Sequence, residues 1–174
     1  MDFEECVLGR RSIRKFRPGK VPDELIKHAL ELANAAPSAG NLQAREFIVV
    51  RDPSRKQQLS QAALGQSATT HADVDIVFCA NLKRIADYGK RGAELYVLQD
   101  TAAAIENFIL YIHSQGLGTV WIGAFNEDAV SKALELPPHI RPLAIVPVGV
   151  PGEAPVPSRK RPIDDMTHKE KWPG

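Results

Sequence analysis

Apolar residues recur along this chain in two rhythms, one helical and one alternating, and they mark helices and short strands in turn. Residues 2–8 read as a helical turn or two that runs into Gly9. Pro18-Gly19 makes a turn, and Val21-Pro22-Asp23-Glu24 then starts a helix, with proline at the first position and acids in the first turn. Leu25, Ile26, Ala29, Leu30, Ala33 and Ala36 follow at helical spacing and bury one face. Pro37 stops this helix ahead of a small polar loop over 38–41. Residues 47–50 read as a strand, 53–64 as a second helix and 74–80 as a second strand.

The stretch 94–115 is the longest helical signal. Ala102, Ala103, Ala104, Ile105, Phe108, Ile109, Leu110 and Ile112 cover nearly every face of it. A helix apolar all round is buried on all sides, and a chain of 174 residues can hardly surround one alone. The pattern therefore predicts that a second copy of the chain covers it. Gly116 and Gly118 end the helix, and 119–122 form a third strand that runs out at Gly123-Ala124. Asn126 caps a short helix through Leu136, and 143–150 form a fourth strand. Pro151, Pro155, Pro157, Pro162 and Pro173 make 151–174 an extended tail. Helices and strands that alternate around one central helix predict a single-domain, three-layer α+β sandwich over 1–174.

Composition narrows the class. Apolar content of 44% and charged content of 25% exclude a disordered chain. A net charge of +1 gives no overall field to attract nucleic acid or an anionic membrane. No apolar run is long enough to cross a bilayer, and the acidic start (Asp2, Glu4, Glu5) lacks the order of a signal peptide. Cys6 and Cys79 are far apart, which argues against a disulfide framework or a zinc site and for reduced thiols. A soluble, cytoplasmic protein without a metal is expected.

Four features carry candidate chemistry. In Arg10-Arg11-Ser12-Ile13-Arg14, guanidinium groups can fork onto one phosphate, with a hydroxyl and backbone N–H groups completing the cradle. A solvated basic loop and a nucleic-acid patch are the rival readings. Pro37-Ser38-Ala39-Gly40-Asn41-Leu42-Gln43 lets a planar ligand approach the backbone, and Asn41 and Gln43 each offer a donor and an acceptor; a plain helix-ending loop explains it equally. Gly116-Leu117-Gly118 enters a strand, whereas a Rossmann turn leaves one, so a dinucleotide fold is disfavoured. What remains there is a strand ending at Trp121-Ile122-Gly123-Ala124, with backbone N–H groups free to face a ring. Arg159-Lys160-Arg161 forms a second basic cluster far from the first. No nucleophile elbow, zinc helix motif or Walker loop is present, and the five histidines are scattered. Any catalysis then belongs to a bound cofactor.

In this order, the four motifs resemble the FMN-dependent nitroreductase family: Arg-Arg-Ser-x-Arg-Lys-Phe, Pro-Ser-Ala-Gly-Asn-x-Gln, Gly-Leu-Gly-Thr-x-Trp-Ile-Gly and Arg-x-Arg. The resemblance spans residues 10–161. It implies a mainly antiparallel central sheet flanked by helices, in an intertwined homodimer with FMN at the subunit interface. Arg10, Arg11, Ser12 and Arg14 would hold the FMN phosphate, with Arg159 and Arg161 closing over it. Ser38, Ala39 and Asn41 would come from the partner subunit, and Pro37 would also contact the cofactor. Trp121, Ile122, Gly123 and Ala124 would lie along the flavin ring, with Gln66 near its pyrimidine side. No side chain would be catalytic, because flavin N5 carries the chemistry. NAD(P)H would donate, and a small acceptor such as a nitroaromatic or quinone would follow it by a ping-pong course.

The chain departs from the better-known members in being shorter, with little room over 80–94 for helices that narrow a substrate channel. Gly123 stands where some members carry an acid. This leaves open a specialised flavin enzyme (enone reduction, dehalogenation, flavin fragmentation) or a flavin-binding dimer without turnover.

Overall fold

The computed structural model describes residues 1–172. Helix α1 (Phe3–Gly9) starts in a capping box, in which Asp2 accepts the Glu5 N–H while the Glu5 carboxylate accepts that of Asp2. There follow β1 (Phe16–Arg17), α2 (Asp23–Asn34), β2 (Arg45–Val50), α3 (Pro53–Ala62), α4 (Ala68–His71) and β3 (Val74–Asn81). The second half holds α5 (Gly89–Arg91), α6 (Val97–Ser114), β4 (Gly118–Thr119), α7 (Glu127–Ala133) and β5 (Ile140–Pro151). The sheet runs β1-β5-β3-β2, with β4 also on β5, and all of these pairs are antiparallel.

Strand alternation divides β3 between two cores. Ile76 and Phe78 meet Ile26 and Ala29 of α2 and Ile105, Phe108 and Ile112 of α6. Val77 and Cys79 face the other way, onto Leu59 of α3 and Val130 of α7. Every residue of β3 is buried, as a strand covered on both faces requires. Phe47, Phe78 and Phe108 stack edge to face, with centroids 5.3 Å apart at each step. The result is the three-layer α+β sandwich that the pattern predicts. Among the described residues no helix is long and apolar enough to cross a membrane.

The structure corrects several expectations. The stretch 94–115 is not apolar all round: it begins as a π-helical turn, Gly92–Tyr96, and α6 then exposes Glu106 and Asn107. Ala104, Ile105, Phe108, Ile109 and Ile112 are buried by this chain's own α2 and sheet. A second copy is therefore not needed to cover this helix. The third strand is also shorter than 119–122. It leaves the ladder after Thr119 and rejoins only at Ile122, which exchanges both N–H···O bonds with Ile145. Between those points Val120 stands opposite Pro147, which has no N–H to give. Helix α2 stops at Asn34 rather than Ala36, since the residue before Pro37 is driven out of the helical region. The pattern also missed β1, α4 and the short helical turns over 86–96. The tail is exposed from Ala154 to Trp172, with one 3-10 turn at Ile163–Met166; Pro173 lies outside the described residues.

Among the described residues, Asp75 is a core acid without a hydrogen-bond partner. Both carboxyl oxygens of Asp75 in β3 are buried and unpaired. Burial pushes this carboxyl well above the ordinary carboxylate range, against the pull of buried Lys56. The folded chain thus holds the Asp75 proton more tightly than the unfolded chain. Its contribution to stability is complete below about pH 4 and is lost as pH rises through the folded pKa. Asp75→Asn is expected to raise the urea midpoint at pH 8 and to leave it near the parent's at pH 4. Parallel pH profiles for the two proteins would show that Asp75 titrates alike in both states.

Candidate functional site

The basic segment is fixed by the edge of the sheet. Past α1 the chain runs extended, Ser12 pairs in parallel with Thr119, and the Ile13 N–H donates to the Thr119 carbonyl at 2.8 Å. Ile13 points inward, and its side chain would lie 2.9 Å from a Cβ on Gly118, so that position must stay glycine for the strands to meet. Alternation turns Ser12 and Arg14 the other way. Arg10, Arg11, Ser12 and Arg14 line a cavity of about 340 Å³, closed by Glu153, Ala154, Val156, Ser158 and Lys160 of the tail.

Each cation has its own setting. Arg11 Nη1 donates to the carbonyls of Leu8 (2.6 Å) and Arg10 (2.7 Å), covering the end of α1, while its buried Nε has no partner. Arg14 and Lys15 give their backbone N–H groups to Glu153 Oε1 at 2.6 and 3.1 Å. His113 of α6 lies below, its Nε2 buried and unpaired. Burial lowers its pKa first, and the charges of Arg10 and Arg11 lower it further. Arg161 turns away from the cavity and donates to the Asp165 carbonyl. Arg159 does not line the cavity either; Lys160 is the tail cation that does.

The same edge leads to the strand end. Because Ile122 is buried at its bridge with Ile145, its neighbours Trp121 and Gly123 face outward, and Ala124 is exposed as well. Among the described residues the N–H groups of Gly123 and Ala124 donate to nothing. Gln66 lies beside them, its Nε2 3.4 Å from the Ala124 carbonyl. The Gln66 backbone is held firmly: its carbonyl accepts from Ser60 Oγ and Thr69 Oγ1, both at 3.0 Å. A basic cavity at Ser12 and a ledge of free N–H groups beside one amide side chain thus lie at the two ends of the segment 119–124.

The loop after α2 is built elsewhere. Ala39–Asn41 forms a 3-10 turn, and Gly40, Asn41 and Gln43 have φ of 56°, 55° and 46°. Two of these three residues are not glycine, so the backbone is strained, a mark of functional loops. The strain is held from below. Both carboxylate oxygens of Asp100 accept the Ala39 N–H, at 3.1 and 3.0 Å, and Ser38 Oγ accepts that of Gln43 at 3.0 Å. Arg45, buried, donates to the carbonyls of Asn34 (2.8 Å), Ala36 (2.7 Å), Pro37 (3.4 Å) and Asp100 (3.0 Å). Gly40 and Asn41 are exposed, and a Cβ on Gly40 would stand 2.6 Å from the Tyr88 hydroxyl. This loop is tied to Asp100 near the start of α6, whereas His113 near its end feels the charges of Arg10 and Arg11 of the basic cavity. The two anchors are about 20 Å apart along a regular helix. The sequence motifs therefore resolve into two groups within one chain, and Arg45, Asp100, Glu153 and Lys160 join these groups without being singled out by the motifs.

Comparison with known proteins gives one consistent answer. The model of the Nitroreductase family matches residues 7–69 and 55–150. An NADH dehydrogenase of Thermus thermophilus is 32% identical, with 94% of each chain covered. An FMN reductase (NADPH) of Bacillus subtilis is 30% identical over 97% of this chain and 73% of its own. The crystal structure of nitroreductase A from Vibrio parahaemolyticus superposes with a TM-score of 0.91 at 27% identity, covering 98% of this chain and 77% of that one.

Proposed function

This chain belongs to the nitroreductase family, and we propose that it binds FMN and passes electrons from NAD(P)H to a small organic acceptor such as a nitroaromatic or a quinone. The observation that carries this reading is the segment 119–124, which pairs at Thr119 with Ser12 of the basic cavity and ends in the unpaired N–H groups of Gly123 and Ala124. The donor set suits FMN. A phosphate suits the cavity of Arg10, Arg11, Ser12 and Arg14, with Lys160 of the tail beside them. The free N–H groups of Gly123 and Ala124 and the amide of Gln66 suit the polar edge of a flavin ring, with Trp121 and Ile122 alongside.

When bound, FMN supplies the redox chemistry, taking a hydride equivalent from the nicotinamide and delivering it to the acceptor. The chain's own residues bind and orient. Gly123 has no side chain, so donor and acceptor reach the ring side of the ledge without obstruction. Donor and acceptor would take turns at one site, so parallel lines in a two-substrate initial-rate plot are expected. Pro37, Ser38, Ala39 and Asn41 serve the flavin of a second copy. Their distance from the anion cavity of their own chain supports this, as do the exposed apolar residues Val156, Ile163 and Trp172 of the tail.

The purified protein is expected to be yellow, to release FMN on denaturation at about one per chain, and to bleach anaerobically on addition of NADH or NADPH. A colourless preparation that takes up no FMN at micromolar concentration would remove the proposal. Bound FAD would show that the phosphate cavity has been misassigned. A yellow protein that neither donor bleaches would be a flavin store rather than an enzyme.

A further inference from the structure

The geometry points to Glu153 as a positioning residue for phosphate: its carboxylate latches the root of the tail onto the backbone of Arg14 and Lys15, and so aims Arg14 into the anion cavity. This inference rests on the reading of that cavity as the site of the FMN phosphate.

The latch completes a short ladder. Strands β1 and β5 pair Arg17 with Val150 and Phe16 with Pro151. One residue on, the Gly152 N–H donates to the Lys15 carbonyl at 2.8 Å. A Cβ on Gly152 would stand 2.9 Å from the Phe16 carbonyl carbon and 3.0 Å from the Arg17 nitrogen, so the chains meet here only because the residue is glycine. Beyond that point the ladder has no backbone acceptor for the Arg14 and Lys15 N–H groups, and Glu153 Oε1 accepts both. These two bonds are the leading reason why its carboxyl lies below the ordinary range. The side chain of Arg14, by contrast, makes no ion pair among the described residues, with Glu153 or with any other acid. Glu153 therefore restrains the backbone of Arg14 and leaves its guanidinium free for a ligand anion. Tail residues Ser158 and Lys160 reach the same cavity only because the tail leaves β5 in this direction.

Diluting the flavin-loaded full chain and following free-flavin fluorescence measures affinity for FMN and, in parallel, for riboflavin, which has no phosphate. Glu153→Gln keeps an acceptor oxygen and is expected to stay within about threefold of the parent for both flavins. Glu153→Ala is expected to weaken FMN about tenfold and leave riboflavin unchanged. If the alanine variant does not fold, Glu153→Asp serves, because it keeps the charge but is too short to hold both N–H groups; it too is expected to lose preference for FMN. Tighter FMN binding in the glutamine and alanine variants would mean that Glu153 is a stand-in anion competing with phosphate, which overturns the latch. Equal weakening of both flavins would make its role merely structural, and so would an unchanged preference for FMN. A parent that does not prefer FMN to riboflavin would overturn the phosphate reading itself, and the latch with it.

Discussion

Arg45→Met is expected to lower the stability of the fold by about 3–5 kcal/mol, the range for removing one partner from a buried charged network. Arg45 is 4% exposed and donates to four backbone carbonyls and to the Asn34 side chain. Burial lowers its pKa, and the charge of Asp100 offsets this in part. Methionine fills the space of the stem but satisfies none of the acceptors. The carbonyl of Ala36 would then be buried without a donor, at about 1–3 kcal/mol, that of Asp100 would keep only its helical bond, and the Asp100 carboxylate would lose its countercharge. The damage is expected to reach the loop over 37–43, because Asp100 is what holds the Ala39 N–H. Amide exchange at Ala39 and Gln43 is therefore expected to speed up more than exchange in β3. Urea unfolding gives the size of the loss. A loss below about 1 kcal/mol, of the order of a single ordinary hydrogen bond, would mean that water replaces the guanidinium at little cost.

The sequence betrays Arg45 only as the first residue of a strand, because its partners lie on α2, the loop after it and α6. Local periodicity carries no information about such a convergence. The long helices and β3 were legible for the opposite reason, since their burial repeats every few residues. At 94–115 the alanines do not all belong to the core. Ala102 and Ala103 are half exposed beside Glu106 and Asn107, and a small apolar side chain tolerates either side of the boundary. The break in the third strand depends on Pro147, a residue on its neighbour, which a reading of 119–122 alone does not weigh. The anion cavity was half legible. Its cations at 10–14 form a motif, but the acceptor that orients them, Glu153, and the tail cation that lines the cavity, Lys160, are set by how the tail leaves β5.

Loss of single cations is expected to separate the phosphate reading of this cavity from a solvated basic loop. A charge-assisted hydrogen bond contributes about 1.5–3 kcal/mol, so Arg10→Ala and Arg14→Ala are each expected to weaken FMN affinity by roughly tenfold to a hundredfold. Both positions line the cavity. Riboflavin is expected to bind poorly to the parent and to respond little to either substitution. Lys15→Ala is the internal control, because Lys15 carries the same charge one residue away but does not line the cavity. Its structural role runs through its backbone, which bonds Glu153 and Gly152 and survives truncation of the side chain. A general attraction between anion and basic segment would make all three variants equal, and added salt would abolish the differences, since exposed charges are screened beyond about 10 Å at 0.1 M. A directional cradle predicts that Arg10 and Arg14 matter and Lys15 does not, at low and moderate salt alike. Equal, small effects at the three positions would sink the assignment of the cavity to phosphate, even in a protein that proved to be yellow.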